Sequence, residues 1–196
     1  SDEERKISLV NSGIYLFKKS FLEEKLKTLN TENKAGELYL TDLYKEDFPV
    51  KTFASEESEQ TFMGINDLVQ LSEATEVLQK KIIQEHQRNG VIFQSPSSNY
   101  IEKDVIIEAD TIIGKDVELI GKTIIQSGTE INAGSIISDS LIKDNVLIKP
   151  YSVIESSEIH SSCQIGPFAR IRPKSVIGSD SKIGNFVETK KVNFRP

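Results

Sequence analysis

One aliphatic residue in every six governs what the C-terminal half of this chain can fold into. Ile101, Ile107, Ile113, Leu119, Ile125, Ile131 and Ile137 lie in one register. After a two-residue slip, Leu141, Leu147, Val153, Ile159, Ile165, Ile171, Ile177 and Ile183 lie in a second. A helix gains nothing from this period, because six steps of 100° do not return to one face. A flat strand alternates with period two and needs more apolar residues between them. A prism with one hexapeptide per face satisfies the pattern. Every sixth side chain points inward, and stacked coils bury a narrow aliphatic core. Glycine follows the inward residue at Gly114, Gly166, Gly178 and Gly184, which read as corners too tight for a Cβ. The spacing predicts a parallel β-helix of hexapeptide repeats over residues 91–196.

Upstream the pattern changes twice. Residues 1–63 mix short apolar runs with helical stretches. "ISLVNSGIYLF" and "VKTFA" read as strands, and "KKSFLEEKLKTLN" as a short amphipathic helix with Phe21, Leu22, Leu26 and Leu29 on one face. This is an α/β fragment with too few strands to close a sheet, since a typical sheet has about five or six. Residues 64–90 read as one long helix bridging two halves. Asn66 or Asp67 caps it, Leu68, Leu71, Val77, Leu78 and Ile82 recur at mostly helical spacing, and Asn89-Gly90 stops it.

Composition narrows the function classes. The 196 residues carry a formal net charge of -6 with a pI near 5.1, and no long basic block stands out, which argues against a nucleic-acid partner. A single cysteine, Cys163, excludes an internal disulfide framework and fits a reducing compartment. No apolar run approaches a membrane span, and "SDEERKISLV" is too polar for a signal peptide. These features predict a cytoplasmic protein with no membrane partner.

The cations near the end of the repeat allow two readings. Arg170, Arg172, Lys174, Lys190 and Lys191 are either the solvated outside of the prism or an anion site. An arginine offers a phosphate a fork of donors and a lysine a point charge. Flat hexapeptide faces can pack about a threefold axis, and a charged cleft between two prisms suits a small phosphorylated ligand. Spacing alone leaves both readings open. His86 and His160 have no catalytic partner or metal-ligand spacing and read as surface residues. Cys163 reads as a small packing residue.

The pair "IGPFARIRP … IGNFVETKK" closely resembles the start of the acetyltransferase domain in the family of bifunctional N-acetylglucosamine-1-phosphate uridylyltransferases / glucosamine-1-phosphate N-acetyltransferases. "SDEERKISLVNSGIY", "AGELYLTD" and "GINDLVQLSEA" resemble, in the right order, the last third of that family's uridylyltransferase domain and its linking helix. The resemblance covers nearly the whole chain. It implies residues 1–63 from a nucleotidyltransferase domain, a linker helix over 64–90, and the N-terminal part of a left-handed β-helix over 91–196. It also implies a homotrimer. One implied reaction moves an acetyl group from acetyl-CoA to glucosamine-1-phosphate. The other couples the product to UTP with Mg²⁺, giving UDP-N-acetylglucosamine for the cell wall.

Carried over by position, Arg172 matches an arginine that contacts the sugar phosphate and Lys190 its lysine partner. Asn11 matches an asparagine that contacts the UDP-sugar, and Asn66 a Mg²⁺ ligand. Arg170 and Lys191 read as structural or solvated. The chain departs from the family pattern in several places. The Gly-rich nucleotide loop and the aspartate that shares the metal do not occur in it. The family's histidine base and acetyl-CoA residues belong to coils beyond Lys191. The segment between Asp42 and Gly64 is shorter than usual, and Ser95-Pro96 stands where the family commonly has Asp-Pro. The chain is therefore expected to be a fragment lacking both ends, inactive in both reactions and a poor ligand for Mg²⁺ or acetyl-CoA. The alternatives are another sugar-1-phosphate nucleotidyltransferase with a β-helix tail, and a non-catalytic β-helix assembly module.

Overall fold

In a computed structural model of the chain, the described residues are 12–44, 51 and 64–194. They belong to two compact units, Ser1–Gly64 and Ile65–Pro196.

In the first unit, helix α1 (Lys19–Lys25) tightens into a 3₁₀ turn at Leu26–Thr28, and a second 3₁₀ turn spans Leu40–Tyr44. Phe21 stacks on Phe17, which stacks on Tyr15, with ring centroids 6.0 Å apart in each pair. No strand occurs among the described residues of this unit. "VKTFA" falls outside the described residues except for Lys51, as does the first part of "ISLVNSGIYLF"; residues 14–17 of the latter join no ladder.

In the second unit, helix α2 (Leu68–Arg88) begins on a reciprocal cap. Asp67 Oδ1 accepts from the Gln70 amide at 2.8 Å, and Gln70 Oε1 accepts from the Asn66 amide at 2.7 Å. Of the two capping candidates, Asp67 makes the bond. Only the later part of the helix joins the core, through Ile83 and Ile82, while Leu68, Leu71 and Leu78 are exposed. Near its middle, Gln79 lies against the first coil. Its amide oxygen accepts from Ile101 N–H and its amide nitrogen donates to Ile101 C=O, both at 3.0 Å. Gln79 thus stands in for a strand that would otherwise pair with this edge, which a bare β edge requires.

Residues 92–194 form a parallel β-solenoid of three six-stranded sheets, one per face of the prism. The inward residues stack in columns. Phe93, Ile113, Ile131, Ile148, Ile165 and Ile183 line the first face. Ile101, Leu119, Ile137, Ile154, Ile171 and Thr189 line the second. Ile107, Ile125, Ile142, Ile159, Ile177 and Phe194 line the third.

These columns correct the second hexapeptide register. Leu141, Leu147 and Val153 face outward and are half-buried, while Ile142, Ile148 and Ile154 are fully buried. The chain makes two five-residue steps, Ile137 to Ile142 and Ile154 to Ile159, rather than one slip of two. The expected register holds again from Ile159 onward.

Each corner carries one residue in the left-handed region, among them Asp116, Asn145, Tyr151, Phe168, Lys174 and Lys191. Asp and Asn adopt it readily; a bulky side chain there carries strain. Gly114 is required for another reason: a Cβ would lie 2.9 Å from the Ala133 backbone nitrogen. Gly184 has no such need, because a Cβ there meets nothing within 4 Å.

Candidate functional site

Both five-residue steps fall on the corner between the second and third faces, and so do the cations. Arg172 follows the inward Ile171, and Lys190 follows the inward Thr189 directly above it. The Arg172 amide donates to Thr189 C=O at 3.0 Å, so the two basic residues sit on adjacent rungs, about 4.8 Å apart at the backbone. Lys174 (φ 67) and Lys191 (φ 53) hold the same left-handed corner position on those two coils. The fold thus brings Arg172, Lys174, Lys190 and Lys191 onto one edge of an otherwise acidic chain. Sequence reading set Lys174 and Lys191 aside. The signal that groups them is position within the coil: each stands three residues before an inward residue of the third face.

Hydrogen bonds fix the frame. Arg172 C=O accepts from Ser175 Oγ at 2.7 Å and from Ser157 Oγ at 3.0 Å, pinning the corner from its own coil and the one below. Arg172 Nη1 lies 3.3 Å from Glu188 Oε1, an exposed pair that leaves the other guanidinium donors unused. Lys174, Lys190 and Lys191 have no ion-pair partner among the described residues. Arg170 points out from the second face and pairs with Glu155 at 3.3 Å, which accounts for it structurally.

Below Lys174 the two shortened corners leave a recess of about 450 Å³ on the third-face side. Lys122 and Lys174 stand at its two ends, with Asp139, Ser156, Ser157 and Glu158 between them. Its serines are already bonded within the fold: Ser140 Oγ donates to Ser138 C=O and Ser157 Oγ to Glu155 C=O.

The other sequence candidates lie elsewhere. Asn11 is outside the described residues. Asn66 is exposed, and no cluster of three or more His, Cys, Asp or Glu residues suited to a metal occurs among the described residues. A lone amide oxygen does not make a Mg²⁺ site, since that ion takes carboxylates and phosphates in octahedral geometry. His160 Nε2 lies 3.5 Å from Glu158 Oε2 and makes no hydrogen bond. Burial holds the His86 imidazole below its ordinary pKa, against the opposing charge of Glu85. Cys163 is fully buried with its Sγ 3.0 Å from Gly178 C=O, and burial pushes its thiol up. No described helix is long and apolar enough to cross a membrane.

Known proteins share these features. "Bifunctional protein GlmU" of Clostridioides difficile (strain 630) is 44% identical over 131 residues, covering 65% of this chain and 28% of the relative. The protein of the same description from Listeria monocytogenes serotype 4a (strain HCC23) is 40% identical over 129 residues, covering 64% and 28%. The chain therefore spans about 28% of the length of these curated relatives. Among solved structures, a mutant GDP-perosamine N-acetyl transferase from Caulobacter crescentus, in complex with CoA and GDP-perosamine, superimposes with a TM-score of 0.50 at 16% identity. That match covers 61% of this chain and 60% of the other, and it speaks for the fold alone. A family model described as the GMPPB C-terminal domain matches residues 97–194, the solenoid from its first coil to its last described strand. On that match over half its length, the chain belongs to the GMPPB C-terminal domain family.

Proposed function

We propose that the corner of Arg172 and Lys190 holds the phosphate of glucosamine-1-phosphate in a bifunctional enzyme that makes UDP-N-acetylglucosamine. The observation that carries this reading is the stacking of Arg172 and Lys190 on successive rungs, with Lys174 and Lys191 at the same edge. Four cations on a rigid corner facing one carboxylate, Glu188, suit an anion carrying more than one negative charge. Arg172 binds with the donors that Glu188 leaves unused, and Lys190 neutralises as a point charge. The GlmU relatives support this assignment at the level of family. In the complete protein a general base and the acetyl-CoA contacts come from elsewhere in the sequence. Acetyl transfer needs that base to take the proton of the ammonium nucleophile.

The chain alone is proposed to catalyse neither reaction, because no described residue is positioned as that base. The uridylyl half of the reading assigns Asn11 to the UDP-sugar and Asn66 to Mg²⁺, with the remaining metal ligands outside this chain. A cytoplasmic location and a homotrimer complete it. Replacing Arg172 by Ala in the complete protein should lower kcat/KM for glucosamine-1-phosphate on the order of 10- to 100-fold, the value of a charged hydrogen bond, with melting unchanged. Unchanged KM and kcat would sink the assignment.

A further inference from the structure

We infer that the recess under Lys174 receives the sugar ring of the phosphorylated ligand, with Lys174 as a further phosphate contact; this rests on the proposed phosphate site at Arg172 and Lys190. Three independent features meet there. The first is shape. Shortened corners occur on two consecutive coils, at Ile137 to Ile142 and Ile154 to Ile159, and six-residue corners flank them on either side. The missing residues leave a recess of about 450 Å³, which is enough for a hexose ring.

The second is the order of charge along the edge. From Lys174 the recess passes Ser156, then the Glu158 and Asp139 carboxylates, and ends at Lys122. A phosphate is favoured at the Lys174 end only. A sugar's hydroxyl and ammonium groups are donors, and carboxylates accept from them, so an amino-sugar phosphate lies with its anion upward and its ring between the two acids. The third is connection. Ser175 lines the recess while its Oγ donates to Arg172 C=O, and Ser157 does the same from the coil below. The recess wall and the phosphate corner are one hydrogen-bonded piece. Lys174, left-handed at the apex and without an ion-pair partner among the described residues, stands where the two meet.

Backbone amide NMR of this chain, titrated to millimolar concentration with glucosamine-1-phosphate and separately with inorganic phosphate, tests the idea. Both ligands should shift Arg172, Lys174 and Lys190. Only the sugar phosphate should also shift residues 139–141 and 156–158. Glu158→Gln should weaken the sugar phosphate on the order of tenfold and leave inorganic phosphate unchanged, whereas Lys174→Ala should weaken both. Shifts confined to the cations with both ligands would overturn the recess and leave the phosphate site standing. No response of Arg172 or Lys190 to either ligand would remove the phosphate site and the recess with it.

Discussion

Ile154 and Val153 are neighbours of almost the same chemistry, yet only one is core. Ile154 is fully buried; Val153 faces outward on the second sheet. Replacing Ile154 by Ala should destabilise by about 2–5 kcal/mol, the range for emptying a packed aliphatic site. Val153→Ala should cost under about 1 kcal/mol, because it opens no cavity. Denaturant midpoints of the two variants check this; equal losses would restore the register that places Val153 inside. The ambiguity arose because Leu141-Ile142, Leu147-Ile148 and Val153-Ile154 each offer two aliphatics. A second column resolves it. Two residues before each inward position lies a small buried side chain: Ser140, Val146, Ser152, Ser157, Cys163, Ala169 and Ser175. The expected register would have put Asp139, Asn145 and Tyr151 there, and none of them fits inside. Cys163 belongs to this column. With its thiol pushed up and sealed off, it should label with a maleimide only as fast as the coil opens. Rapid labelling of the folded chain would contradict that placement.

At the scale of elements, helix α2 is tied to the solenoid by Gln79. Its amide meets both backbone groups of Ile101, and Leu in its place leaves a buried donor and acceptor without partners. Gln79→Leu should therefore destabilise by about 1–3 kcal/mol, and hydrogen exchange at Ile101 should quicken before exchange at Ile137. His86, near the helix C-terminus, adds a pH dependence. Its folded pKa lies below the ordinary value, so the unfolded chain takes up the proton first as the pH falls. The stability it contributes is present above about pH 6.5 and is lost as the pH drops through the folded value. His86→Gln should flatten that part of the stability profile, and an unchanged slope would exclude His86 as its source. The existence of this helix was legible from its leucines, but their burial was not: Leu68, Leu71 and Leu78 kept helical spacing and remain exposed.

At the scale of the whole molecule, the period of six announced a parallel solenoid because each coil repeats one packing problem. The site was less legible. Arg172 and Lys190 are 18 positions apart, and only coil geometry makes them neighbours. Lys174 and the recess depend on two single-residue shortenings that spacing alone did not locate. The central claim is that this corner holds a phosphate. A crystal of this chain soaked in glucosamine-1-phosphate tests it most directly. The account predicts phosphate density within hydrogen-bond reach of both Arg172 and Lys190. Arg172 bound only to Glu188, with the ligand absent or seated on another face, would contradict it.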